Sequence, residues 1–116
     1  MSNAQRNLYT FIVYAPDKTD DGALQRRLNV RPTHMARGSD LSKNGTLKLG
    51  GAMLTPECIT TPDAKKEMIG SVLLFEAETI EDVKKIVETD IYYTSGVWDT
   101  EKIVIKPFAI GIGSLA

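Results

Sequence analysis

The chain has 116 residues, enough for one hydrophobic core and too few for two ordinary domains. Hydrophobic residues make up 42% and charged residues 25%, the balance of a soluble globular protein rather than a disordered one. The 14 basic and 15 acidic residues leave a net charge of -1, which removes any global electrostatic case for nucleic acid or an acidic membrane, and no apolar run approaches the roughly 20 residues that span a bilayer.

Residues 1–7 are polar and lack the apolar segment of a secretory signal; Ser2-Asn3-Ala4 is compatible with a cloning remnant, so this stretch is set apart as a disordered terminus or tag. Leu8 to Ala15 is rich in β-branched and aromatic residues and stops at Pro16-Asp17, which reads as a first strand. A polar turn follows, with Thr19, Asp20 and Asp21 as candidate helix caps. Ala23 to Lys43 has helical character, with Leu24, Leu28 and Met35 at helical spacing. Pro32 inside it predicts a kink, or two short helices meeting near Arg31. Asn44-Gly45 is a helix stop.

Thr46 to Leu54 is a second strand, in which Gly50-Gly51 marks a bulge or a close approach by another group. Thr55 to Met68 is a polar loop with Pro56 and Pro62, long enough to suggest a lid or binding segment. Ile69 to Ala77 is a third strand. Thr79 caps a second helix whose buried stripe is Ile80, Val83, Ile86 and Val87. Asp90 to Gly96 is an irregular or single-turn segment, and Asp99 to Ile110 alternates as a last strand. Cys58 stands alone, which permits no internal disulfide and no multi-cysteine zinc site and points to reducing, cytoplasmic surroundings.

The order β-α-β-β-α-β is the split βαβ plan. It predicts an α+β, ferredoxin-like domain over 8–110, with a four-stranded antiparallel sheet, two helices on one face and a tail at 111–116. The strands are apolar on both sides, so the face without helices needs cover. A second copy of the same sheet is the simplest cover, which makes the chain a homodimer of the dimeric α+β barrel type.

His34 is the only histidine, and imidazole is the side chain whose ordinary pKa lies nearest neutrality. On a helix Arg27, Arg31 and His34 share a face, so two cations would flank it. The Arg31-Pro32-Thr33-His34 element, Gly50-Gly51-Ala52, Gly70-Ser71, Glu76-Ala77-Glu78, Asp90-Ile91-Tyr92, Ser95-Gly96-Val97 and the closing Ile105-Lys106-Pro107-Phe108 occur in that order. In this the chain resembles the YCII-related proteins from Leu8 to about Phe108, and it departs at Ile91, where the family usually has proline.

The resemblance implies a ferredoxin-like dimer with an active-site cleft in which His34 and Asp90 form an acid–base pair. It also implies proton-transfer chemistry on a small molecule. One characterised type in the family eliminates hydrogen chloride from a chlorinated hydroxyquinol, and muconolactone isomerases share the wider barrel architecture. Applied here, the reading is a lyase or isomerase acting on a cyclic or aromatic metabolite. His34 is the base, Asp90 its orienting partner or the acid, and Arg31 or Arg27 the holder of an anionic oxygen.

Gly50, Gly51, Tyr92, Tyr93 and Trp98 are further candidates for contact with substrate. Each has a plainer alternative: a bulge for the glycines, and core or interface rings for the aromatics. His34 has one too, as a packing residue beside an Asp90 that only caps a turn. No cofactor and no metal site is expected; Asp17, Asp20 and Asp21 lack the calcium-loop pattern, and Cys58 reads as inert. The competing classes are a non-catalytic ligand-binding domain and a purely structural dimerisation module, the last of which predicts a closed cleft.

Overall fold

A computed structural model describes residues 7–115. The expectations for residues 1–6 and for Ala116 lie outside the described residues. The elements are β1 (Tyr9–Pro16), α1 (Ala23–Lys43), β2 (Leu47–Leu54), β3 (Met68–Ala77), α2 (Ile80–Glu88), α3 (Ile91–Thr94) and β4 (Val104–Pro107). The sheet has 4 strands in the order β2-β3-β1-β4. Every neighbouring pair is antiparallel, which is the ferredoxin-like arrangement.

Strand alternation places one row of side chains toward the helices. Val13 sits between Leu73 and Ile105, and Phe11 between Phe75 and Pro107. This row and α2's Val83 and Val87 meet in one core that also holds Tyr92, Val97 and Trp98. α2 forms where its stripe and cap predict: the Thr79 hydroxyl accepts the Asp82 N–H at 3.1 Å, and Val83 and Val87 are buried. On the opposite face the register aligns Leu74 with Ile12 and Leu49, and Val72 with Tyr14 and Gly51. Leu49 and Tyr14 there are 57% and 45% exposed.

α1 departs from expectation in ways that matter for the site. It is one helix with Pro32 inside it, not two. Pro32 donates no hydrogen bond, so the Leu28 carbonyl loses its helical partner while the helix continues. Its cap is Gly22, with no side-chain hydrogen bond, and not Thr19, Asp20 or Asp21; Asp20 is instead drawn to Arg26. Leu28 and Met35 are exposed, and the residues α1 buries are Ala23 and Arg27. The helix ends as predicted at Asn44, with Gly45 at φ +88°.

Two further expectations are corrected. The last strand is Val104–Pro107 alone, because Trp98 leaves the chain in an isolated bridge to Asp17 and the Lys102 N–H turns back to the Asp99 carbonyl. The register shifts in β2 fall between Leu47 and Leu49 and between Met53 and Leu54, on either side of Gly50-Gly51 rather than at it. The long loop is pinned at Cys58. Its buried thiol accepts the Glu67 N–H at 2.9 Å and lies 3.2 Å from the Thr55 hydroxyl, and these contacts hold it below the ordinary thiol range.

Candidate active site

The site is built where α1 crosses the edge of the sheet. A cavity of about 500 Å³ lies between α1 and β2, with Ser71 and Leu73 of β3 and Tyr92 of α3 completing its wall. On α1 its lining runs Arg27, Arg31, His34, Met35, Gly38, Ser39 and Ser42, a stripe with the three-to-four spacing of one helix face. On β2 it includes Leu49, Gly50, Gly51 and Ala52. A Cβ on Gly51 would meet nothing within 4 Å, whereas one on Gly50 would come 3.1 Å from the Leu73 side chain. No residue of the Thr55–Met68 loop lines the cavity.

His34 and Asp90 meet. Nδ1 of the imidazole lies 2.9 Å from Asp90 Oδ1. The same Oδ1 accepts the Tyr92 N–H at 2.8 Å as the N-cap of α3, so the carboxylate is fixed by backbone geometry independently of the histidine. Ile91 stands at the first helical position, where proline is well tolerated, and the cap forms with isoleucine there. Oδ1 offers only lone pairs to Tyr92 N–H and His34 Nδ1, so Nδ1 carries the proton and Nε2 is the nitrogen left to accept one.

The rest of the imidazole is held by rings. Tyr92 stacks on it with centroids 3.8 Å apart and planes 9° from parallel, and Trp98 meets it edge-on at 6.1 Å. Arg37, one turn along α1 from His34, donates to the Ile86 carbonyl at 2.9 Å and to the Thr89 hydroxyl at 2.7 Å, with Nη1 3.7 Å from Asp90 Oδ2. It fastens the C-terminal end of α2 to α1 and brings a cation near the carboxylate. Nothing in the residue order marks Arg37; its spacing of i+3 from His34 is the signal that could have found it.

Beneath the cavity lies a buried polar cluster. Arg27 Nη1 reaches both Asp17 oxygens at 2.9 and 3.0 Å, and Nη2 donates to the Ser71 hydroxyl at 2.9 Å. Trp98 Nε1 donates to the same hydroxyl at 3.2 Å. The Arg27 guanidinium also sits 4.6 Å from the Tyr92 ring centroid. Burial pushes the Asp17 carboxyl above its ordinary value, against the pull of Arg27 and Arg26. Burial likewise raises the Tyr92 phenol, with Asp17 and Asp90 adding to it and Arg27 and Arg31 opposing.

Of the residues singled out from the sequence, Arg27, Arg31, His34, Gly50, Gly51 and Tyr92 therefore line one cavity, and Asp90 stands behind His34. Tyr93 and Trp98 do not line it. Trp98 is fully buried and supports the wall through Ser71, while Tyr93 packs against the core. Ser71 stands in the Gly70-Ser71 element of the sequence, but nothing in an apolar strand marks its hydroxyl as part of the site. Among the described residues no group of three or more His, Cys, Asp and Glu side chains is placed to hold a metal ion.

The fold and cavity define an α+β, ferredoxin-like domain with a ligand-sized cleft along its first helix. The chain belongs to the YCII-related domain family, whose model matches residues 9–109. It is 34% identical over 98 residues to Protein YciI of Escherichia coli O6:H1, covering 84% of this chain and 94% of that protein. It is 33% identical over 92 residues to the derivative of benzaldehyde biosynthesis cluster protein C of Emericella nidulans, covering 77% of this chain and 88% of that one. Among solved structures it is similar to 5-chloro-2-hydroxyhydroquinone dehydrochlorinase from Burkholderia phenoliruptrix AC1100, bound to 2,5-dihydroxybenzoquinone. The TM-score is 0.73 at 28% identity, covering 88% of this chain and 95% of that one. No helix among the described residues is long and apolar enough to cross a membrane.

Proposed function

We propose that the chain is a small-molecule enzyme of lyase or isomerase type, in which His34 and Asp90 move a proton on a cyclic or aromatic metabolite. The observation that carries this reading is the 2.9 Å contact of His34 Nδ1 with a carboxylate already fixed as a helix cap, at the wall of a ligand-sized cavity. His34 Nε2 takes a proton from a hydroxyl or carbon of the ligand. The freed electron pair forms a new double bond and expels an anionic leaving group, or the imidazolium returns the proton to another carbon. Asp90 stabilises the imidazolium between the two steps, and Arg31 stands at the cavity as a cation for developing negative charge on oxygen. The structural neighbour, a dehydrochlorinase of a hydroxyhydroquinone, supports a ligand of this kind.

The test is chloride release from 5-chloro-2-hydroxyhydroquinone, together with deuterium uptake from heavy water into hydroxyhydroquinone ring carbons. His34→Asn keeps a donor near Nδ1 and loses Nε2, and we expect it to lower either rate by about 10²–10⁴-fold. Tight ligand binding with no turnover that depends on His34 would leave a non-catalytic ligand-binding domain instead.

A homodimer in cytoplasmic surroundings belongs to the same reading. The face carrying Leu74, Ile12, Val72 and Tyr14 has no helix over it among the described residues, and a second copy of the sheet would cover it. Sedimentation at micromolar concentration decides; a monomer there removes the dimer.

A further inference from the structure

We propose that the inner end of the cavity, at Ser71 and Arg27, is a subsite made only of hydrogen-bond donors. It selects an acceptor oxygen of the ligand, a ring carbonyl or phenolate oxygen, with Ser71 as the specificity-determining residue. The inference deepens the proposed function by naming what the ligand must present, and it rests on that reading only for the cavity being the ligand's place.

The argument is a count of donors and acceptors. A serine hydroxyl has one hydrogen to give and two lone pairs. Guanidinium and indole N–H groups only donate, so Arg27 Nη2 at 2.9 Å and Trp98 Nε1 at 3.2 Å occupy both lone pairs of Ser71. The Ser71 hydrogen is thereby directed away from both, and no oxygen among the described residues accepts it. Ser71 is buried at 3% exposure and lines the cavity, which is where an acceptor can reach it.

Arg27 tells the same story. Its terminal nitrogens are taken by Asp17 and Ser71, while its Nε is buried without a partner. Ser71 and Arg27, both lining the cavity, thus each carry a buried donor that no acceptor among the described residues takes up. Such a place binds a carbonyl or an ionised oxygen, and rejects a ligand that presents an N–H there, because two donors would face each other unpaired. Arg31, exposed at the cavity and without an ion pair among the described residues, further favours phenolate over phenol.

The test uses two neutral ligands of one shape on the intact protein: acetophenone, and isopropenylbenzene, in which CH2 replaces the carbonyl oxygen. The chain has 1 Trp, so its indole N–H gives a single nitrogen-15 correlation, and that proton is bonded to Ser71. We expect acetophenone to bind about tenfold more tightly, the worth of one such hydrogen bond, and to shift the Trp98 indole and Arg27 Nε signals. Ser71→Thr should keep the preference and Ser71→Ala should lose it. If Ser71→Ala does not fold, the wild-type ligand pair decides alone. Equal affinity for the two ligands, or signals that acetophenone leaves unmoved, overturns the subsite. Turnover does not enter the readout, so an inactive chain can still possess the subsite and an active one can lack it.

Discussion

His34 and Asp90 are joined at 2.9 Å although they stand 56 residues apart, and the same carboxylate oxygen caps α3 through the Tyr92 N–H. The cap makes Asp90 a fixed partner. Its position is set by the turn it begins, and α1 brings the imidazole to it. An orienting group that is held independently of the base it orients keeps one tautomer and one ring position, which acid–base chemistry requires of a positioned histidine.

Asp90→Asn and Asp90→Ala separate the two duties. Asparagine caps a helix about as well as aspartate and still offers an oxygen to Nδ1–H, but it cannot stabilise the imidazolium by charge. Asp90→Asn should therefore melt near the wild-type temperature and lose about 10²–10⁴-fold in rate. Asp90→Ala should lose comparable rate and in addition about 1 kcal/mol of stability with the cap. An Asp90→Asn enzyme of unchanged rate would leave the residue a cap and nothing more.

Arg37 should act at one remove. It ties α1 to the Ile86 carbonyl and the Thr89 hydroxyl and is not itself among the residues lining the cavity. Arg37→Met should lower the urea midpoint by the equivalent of about 1–3 kcal/mol, the loss of charge-assisted hydrogen bonds to neutral acceptors. It should lower kcat with little change in KM, since what it fastens to α1 is the end of α2 that leads into Asp90, and not the ligand. Arg37→Lys, which restores a charge without the planar fork, should recover only part. A changed KM at unchanged kcat would count against a positioning role.

Much of the fold is legible in the residues because it follows from short-range patterns. The apolar alternation of β1 and β3, the Thr79 cap and the Val83 and Val87 stripe are local signals, and they form as read. The helix face of Arg27, Arg31 and His34 is legible for the same reason. What is not legible depends on partners distant in sequence. α1 buries an arginine where a leucine stripe was expected, because Asp17, just past the end of β1, and Ser71 from β3 converge on Arg27. Trp98 looks like a pocket wall until its indole is seen bonded to Ser71 from behind. The pairing of His34 with Asp90 came from family resemblance; spacing alone gives no reason to join residues on α1 and before α3.

The Asp17–Arg27 pair should be costly to break and cheap to replace. Both side chains are 4% exposed, and their contact is bidentate toward Nη1. Asp17→Ala strands a buried guanidinium and should destabilise by about 3–5 kcal/mol. Asp17→Leu combined with Arg27→Met removes both charges, and should recover most of that loss while abolishing the polar end of the cavity. Thermal melting of Asp17→Leu, Arg27→Met and the double variant measures the coupling. Additive losses would show that the pair does not behave as a unit.

Tyr92 gives the fold an alkaline limit. Burial raises its phenol above the ordinary tyrosine value of about 10, so the folded chain keeps a proton that the unfolded chain gives up. The sign follows from proton binding: above pH 10 or so the folded state holds more protons at this position, and stability falls as pH rises. The contribution is therefore complete below about pH 10 and lost as pH climbs from there through the raised folded value. Tyr92→Phe cannot ionise, so its urea midpoint should fall less steeply over that window than the wild type's. The phenolate absorbance of the native protein should also lose its most alkaline component in this variant. Parallel alkaline slopes for the two proteins would show that Tyr92 titrates alike in the folded and unfolded chains. Because the same ring stacks on His34 at 3.8 Å, Tyr92→Phe should leave the imidazole's support in place, and its activity at neutral pH reports whether the hydroxyl itself meets the ligand.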